Sequence, residues 1–284
     1  MKIAVTAANG QLGRAIVQEL KAEIGAENVI GIARTPQKAT SLGIEIRKGD
    51  YDVLDDFIAA FEGIDRVLLV SGMDAPKKRI QQHRKIILAA EKNNVKKLVY
   101  TSILGDEQET AFSPIINSNR QTERDIANSK LDWVVGRNGL YIEPDLEYLP
   151  NYIKTGYISN CAGQGKCAYT SRQELAKAYA KMLLSDDLKS KIFNLTSTPI
   201  TQAQLANQIN SIYKTSLTYK YVSDTEYLED RKKELGSFIG TVVAGIYEGI
   251  KKGSFDVQSD FEKVVGRSHK TVIELIETFK NDQQ

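Results

Sequence analysis

The chain is poor in the residues that staple or metallate small proteins. It has two cysteines, two histidines and one tryptophan in 284 residues. Cys161 and Cys167 stand six positions apart with no second pair, and His83 and His269 have no cysteine or carboxylate at ligand spacing. That argues against a zinc site and a disulfide framework, so no metal is expected. No apolar run approaches the roughly 20 residues of a membrane-crossing helix. A net charge of +2 is too small to point to nucleic acid. No leader-like stretch precedes the first strand pattern, and a cytoplasmic protein with both thiols reduced is expected.

What is present is an ordinary globular composition, 42% apolar and 26% charged, long enough for one large core with a smaller lobe. Short apolar runs alternate with amphipathic segments through the first half. That rhythm predicts parallel strands joined by helices. Strands are expected at residues 2–6, 28–33, 45–48, 66–70, 97–101 and 132–135. Helices are expected at about 12–24, at 52–61 behind an Asp cap, and from Pro76 to about Asn94 with Ile80, Ile86, Ile87, Ala89 and Ala90 toward the sheet. Right-handed crossovers make this a doubly wound, Rossmann-type α/β fold, with a ligand expected at the carboxyl edge of the sheet.

After Pro144 the pattern shifts to tyrosine-rich loops and short helices. The expected division is a dinucleotide-binding domain over 1–143 and a smaller α/β lobe over 144–284. Helices are read at 171–184, 201–213 and 269–280, and strands at 192–195 and 217–222. Segments 171–184 and 192–195 can equally return to the main sheet.

The first strand runs into Thr6-Ala7-Ala8-Asn9-Gly10-Gln11-Leu12-Gly13 and then a helix. Small residues there let backbone amides approach a pyrophosphate at a helix N-terminus. Gly10 permits the approach and Gly13 permits helix–strand packing. Alanine replaces the first glycine of the spacing, which ordinary backbone angles at Ala7 would accommodate. The second strand ends in Ile32-Ala33-Arg34-Thr35-Pro36-Gln37-Lys38. No carboxylate is available for a ribose hydroxyl, whereas Arg34 and Lys38 can pair with a 2′-phosphate, so NADP(H) is expected over NAD(H). A solvated basic turn is the plainer alternative. Asp50 suits either an adenine amino group or a helix cap.

A catalytic Tyr-x-x-x-Lys is missing where such reductases place it. Residues 103–131 contain no tyrosine, and Tyr247-Glu248-Gly249-Ile250-Lys251 lies far downstream. An acceptor that needs no tyrosine acid fits this gap. Tyr141, Tyr148, Tyr152 and Tyr157 can form an aromatic wall, with Tyr141, just past the sixth strand, the favoured contact. Asn138 is a cleft candidate or a turn residue beside Gly139.

The turn, Gly49-Asp50-Tyr51, Tyr100-Thr101-Ser102, Arg137-Asn138-Gly139-Leu140-Tyr141, Thr170-Ser171-Arg172 and the 256–266 stretch together resemble the NmrA-like group of atypical short-chain dehydrogenases/reductases. This group contains type-2 NAD(P)H:quinone oxidoreductases and triphenylmethane reductase. The resemblance covers nearly the whole chain. It implies flavin-free hydride transfer from NADPH to a small planar conjugated acceptor; apart from the resemblance, a monomer or homodimer is expected. It also implies that Gly10, Gly13, Arg34 and Lys38 hold the phosphates and that Asp50 and Tyr51 flank the adenine. Ser71 and Gly72 would line the ribose region, Thr101 and Ser102 would approach the nicotinamide, and Asn138 and Tyr141 would face the acceptor. The stretch Asn117-Ser118-Asn119-Arg120-Gln121-Thr122-Glu123 stands where the quinone reductases carry a histidine or other polar residues. A non-catalytic NADP(H) sensor of the NmrA type is the alternative function.

Overall fold

Alternating apolar runs build the central sheet of the computed structural model, which describes residues 1–107 and 110–283. In chain order come β1 (Ile3–Val5), α1 (Gln11–Ile24), β2 (Val29–Ala33), β3 (Glu45–Lys48), α2 (Leu54–Ala60), β4 (Arg66–Val70), α3 (Pro76–Lys92), β5 (Lys97–Ile103), α4 (Ser113–Ala127) and β6 (Asp132–Asn138). There follow β7 (Leu140–Tyr141), α5 (Glu143–Glu147), α6 (Leu149–Thr155), β8 (Tyr157–Asn160), β9 (Lys166–Cys167), β10 (Tyr169–Thr170), α7 (Arg172–Leu184) and β11 (Lys191–Leu195). The chain closes with β12 (Ile200–Thr201), α8 (Gln202–Tyr213), β13 (Thr218–Tyr221), α9 (Asp224–Leu235), α10 (Ser237–Lys251), α11 (Phe261–Val265) and α12 (Val272–Asn281).

Seven strands pair in the order β11-β6-β5-β4-β1-β2-β3, every pairing parallel. The strand order reverses between β1 and β4, which opens a crevice at their carboxyl ends. Period-two alternation sorts the side chains. Ile3, Val5, Val29, Leu68, Val99 and Val134 pack with α1, α7 and α11. Ala4, Ile30, Ile32, Val67, Leu69, Leu98 and Val135 face α2, α3 and Ile126 of α4.

Of the two placements open for segments 171–184 and 192–195, the structure takes the sheet. Strand β11 pairs with β6 from Lys191↔Val134 to Leu195↔Asn138, and α7 packs its Leu175, Ala178, Met182 and Leu183 into the α1 core. A third core lies under the tyrosine-rich part, built from residues such as Leu146, Ile158, Leu205, Tyr247 and Ile276.

Two local expectations are corrected. The Asp cap on the second helix does not form: the N-cap is Val53, with no side-chain cap. Asp50 instead accepts the Asp52 amide through Oδ1 at 3.0 Å, turning the chain before the helix starts. On α3, Ile80 is only partly buried, whereas Ile86, Ile87, Ala89 and Ala90 are buried as expected.

No helix among the described residues is long and apolar enough to cross a membrane. No cluster of three or more His, Cys, Asp or Glu among them is placed to hold a metal ion. Cys161 and Cys167 are buried free thiols.

Candidate functional site

The turn after β1 is set by Ala7, which has φ +49. The backbone angles are therefore not ordinary: alanine occupies the left-handed region that favours glycine. The conformation lets Gly10 N–H donate to the Ala7 carbonyl at 2.9 Å and brings α1 hard against the turn. A Cβ on Gly13 would overlap the Ala7 carbonyl oxygen and lie 3.0 Å from the Ala8 Cα. Gly10 caps α1 with no side-chain bond. The amides of Gln11, Leu12 and Gly13 thus open the helix with no preceding turn to satisfy them, which suits an anion.

Thr6 and Ala8 are fully buried and support the turn from below. Ala8 N–H donates to the Ile32 carbonyl at 3.0 Å. Thr6 Oγ1 accepts the Val70 amide at 2.9 Å and pairs with the Tyr51 hydroxyl at 2.6 Å. Tyr51 in turn donates to the Val70 carbonyl at 2.7 Å. Burial raises the Tyr51 pKa well above that of a free phenol, so the hydroxyl stays a donor. The two residues bolt β1 to β4 at the switch point.

A cleft of about 550 Å³ runs over this turn and is lined by Ala7, Asn9, Gly10, Arg34, Thr35, Lys38, Asp50, Tyr51, Ser71 and Gly72. Arg34 and Lys38 are exposed at its edge. Arg14, which sequence reasoning missed, ties its two walls. Its guanidinium donates to the Asn9 carbonyl at 3.2 Å and to Asn9 Oδ1, and across to the Lys38 carbonyl and Ser41 Oγ, both at 3.1 Å. Gln82, also missed, is buried in the same cleft. Its Nε2 donates to Asp74 and Asp52 at 2.6 and 3.1 Å, and its Oε1 has no partner among the described residues.

These features fit the expected dinucleotide. A helix N-terminus with open amides can take an anion, Arg34 and Lys38 have no carboxylate partner among the described residues, and Gln82 Oε1 is a buried acceptor without a donor among them.

A second cleft, about 450 Å³, adjoins the first at Ala7, Gly10, Ser71, Gly72 and Met73. Gln11, Leu12, Thr101, Ser102, Asn138 and Tyr141 line it, together with apolar Leu104, Phe112, Ile115, Val242, Ile246 and Phe255. Thr101 Oγ1 accepts the Ser71 amide at 2.9 Å. Ser102 donates to Glu123 at 2.6 Å, which commits its proton. Glu123 also receives Arg120 at 2.8 Å and Arg137 at 2.5 Å. Burial opposes the charge on Glu123, but the Arg137 bonds and the Arg120 charge outweigh it and hold the carboxyl below its usual range.

Asn138 is oriented by Tyr179, whose hydroxyl donates to Oδ1 at 2.5 Å. The Asn138 Nδ2 then donates to the Tyr141 oxygen at 3.0 Å, which leaves the Tyr141 proton for another acceptor. Burial pushes the Tyr141 pKa up to about 12, so the hydroxyl is protonated at neutral pH.

The expected aromatic wall does not form, because the other three tyrosines are occupied elsewhere. Tyr148 donates to Glu234 at 2.7 Å, Tyr152 to Asp145 at 2.8 Å, and Tyr157 lies under Lys220. Asp145 is buried and collects Tyr169 and Tyr247 as well, at 3.2 and 3.3 Å. Tyr247 is thereby separated from Lys251, whose ammonium pairs with Asp224 at 3.0 Å. The wall belongs instead to α10 and the loop before α4, through Val242, Ile246 and Phe112.

A family model described as NAD(P)H-binding matches residues 7–186. Quinone oxidoreductase 2 of Escherichia coli strain K12 is 29% identical over 280 residues, covering 96% of this chain and 97% of that protein. Among solved structures, the triphenylmethane reductase of Citrobacter sp. complexed with NADP(H) superposes with a TM-score of 0.91 at 30% identity, covering 98% of this chain and 99% of that one. The E. coli NADPH-dependent quinone oxidoreductase QOR2 complexed with NADPH gives 0.90 at 28% identity, over 98% and 100%.

Proposed function

This chain belongs to the NAD(P)H-binding family, and from that premise we propose that it is an NADPH-dependent oxidoreductase delivering a hydride to a quinone or similar planar conjugated acceptor. The observation that carries the reading is the apolar second cleft, which meets the dinucleotide cleft at Ser71 and Gly72 and has room for a flat ring. The relatives that match over their full length include a quinone oxidoreductase and a dye reductase.

Arg34 and Lys38 hold the 2′-phosphate, the amides of Gln11 to Gly13 the diphosphate, and Asp50 and Tyr51 border the adenine end. When bound, the cofactor supplies a hydride. The protein's own part is placement: Ser71, Gly72 and Thr101 shape the junction of the clefts, and the apolar walls exclude water from the acceptor. The acceptor takes up the hydride and one proton to become a hydroquinone. Tyr141, aligned by Asn138 and Tyr179, donates a hydrogen bond to the oxygen on which charge develops. Among the residues lining this cleft Tyr141 is the only tyrosine and there is no lysine. A phenol held near pKa 12 is a hydrogen-bond donor rather than a proton source, so solvent completes protonation. The open cleft also supports catalysis over the sensor alternative, which calls for a covered nicotinamide face.

The test is NADPH oxidation by purified, flavin-free and metal-free protein across a panel of benzoquinones and naphthoquinones. Turnover with several members is expected. NADPH binding without turnover of any acceptor would overturn the enzymatic reading.

A further inference from the structure

The acceptor cleft contains a buried cation that the proposed chemistry does not use. Arg79, on the first turn of α3, lines this cleft and not the dinucleotide cleft. It is 4% exposed. Its Nη2 donates to the Asp74 carbonyl at 3.0 Å, and its Nη1 reaches Ser118 Oγ at 3.5 Å. Its Nε has no partner among the described residues. Among the described residues no carboxylate pairs with it, since Asp74 is taken by Gln82 at 2.6 Å and Lys78 at 3.5 Å. The neighbouring buried guanidinium behaves differently: Arg120 has Glu123. Among the described residues that line the cleft, Arg79 is the only charged side chain. A desolvated guanidinium without a counter-charge is costly, and proteins rarely keep one unless a ligand completes it.

We propose that Arg79 selects the acceptor: the substrate is a planar ring carrying an oxyanion substituent, which pairs with the Arg79 guanidinium. This rests on the reading of the second cleft as the acceptor site. In this reading the reacting carbonyl and the oxyanion occupy opposite ends of the acceptor. Arg79 enters the cleft from α3, which follows β4, and Tyr141 from β7, which follows β6; β4 and β6, with β5 between them, lie about 10 Å apart. That span suits a fused ring with its reacting carbonyl at Tyr141 and its charged substituent at Arg79. Burial already lowers the Arg79 pKa, and an anion reverses that cost.

The test compares 1,2-naphthoquinone with its 4-sulfonate in the wild type, Arg79→Leu and Arg79→Lys, each checked for a native melting transition. The two quinones' difference in intrinsic reactivity cancels when the ratio of their kcat/KM values is compared between variant and wild type. That ratio should fall about tenfold or more in Arg79→Leu, chiefly through the KM of the sulfonate, and recover in part in Arg79→Lys. An equal fall for both quinones, or a raised KM for NADPH with an unchanged ratio, would overturn the proposal and place Arg79 in structure or cofactor binding. Should the wild type reduce neither quinone, the reading of quinone reduction fails. The role of Arg79 is then judged by calorimetric binding of 2-naphthalenesulfonate to the NADP⁺-saturated protein. Binding lost in Arg79→Leu supports the anion site, and no binding, or equal binding, removes it.

Discussion

His83 accepts the Gly72 amide through Nε2 at 3.0 Å while its Nδ1 meets Thr122 Oγ1 at 2.9 Å. Only the neutral ring with its proton on Nδ1 can do both, because Thr122 donates onward to the Ser118 carbonyl at 3.0 Å. The ring is fully buried and anchors the Ser71–Gly72 step where the two clefts meet.

Burial, with the Arg79 charge second, lowers the His83 pKa to about 3. The unfolded chain binds its proton near the ordinary value of 6.5, so between these limits the unfolded state holds more protons. Stability should therefore fall as pH drops from 6.5 toward 3, with a slope of up to about 1.4 kcal/mol per pH unit from this group. Urea unfolding at stepped pH measures it. His83→Gln, whose amide oxygen can still accept the Gly72 amide, should lose that slope; an unchanged slope would remove His83 as its source.

The left-handed Ala7 makes the turn sensitive to side-chain shape. Ala7→Gly should change stability by less than about 1 kcal/mol, because relief of strain and added chain entropy nearly offset. Ala7→Val should destabilise by about 1–3 kcal/mol and weaken NADPH binding, since a branched Cβ is poorly tolerated at this φ. Thermal melts and calorimetry read both effects, and an Ala7→Val protein as stable as wild type would contradict the strain argument.

Glu123 is the shared counter-ion of Arg120 and Arg137. Glu123→Gln leaves these cations without their carboxylate and should cost about 3–5 kcal/mol of folding free energy. A loss under 1 kcal/mol in denaturant titration, on the order of an exposed pair, would show that solvent already screens the cluster.

Arg34→Ala combined with Lys38→Ala should weaken NADPH by roughly 10–100-fold while leaving NADH affinity nearly unchanged, the loss expected for charge-assisted bonds. Calorimetric titration of both cofactors decides it, and a parallel loss for both would remove these residues as readers of the 2′-phosphate.

Much of the dinucleotide half could be read from residues in order. Hydrophobic alternation located β1 to β6, because strand burial is written with period two and helix burial with period near 3.6. Arg34 and Lys38 were legible since they follow β2 directly, and the strand's end points at the crevice. Asp50 as a helix cap failed because side-chain capping competes with an Asx turn, and local sequence does not say which amide the carboxylate takes. The tyrosines of the smaller lobe looked like a binding wall, yet Tyr152, Tyr169 and Tyr247 converge on Asp145 from three distant segments. Arg79, Gln82 and Glu123 carried no signal of their own: each is one polar residue in an amphipathic helix until the phase of that helix over the sheet is known.

The sequence by itself determined the parallel α/β layering, the dinucleotide turn and the basic mark after β2, because these follow from periodicity and from residues adjacent in the chain. Only the tertiary structure decided that β11 joins the sheet beside β6, that Ala7 adopts the left-handed region, and that Arg79 lines the second cleft with no carboxylate partner among the described residues. Those outcomes depend on desolvation and close packing between segments far apart in sequence, and no local pattern encodes the distance between them.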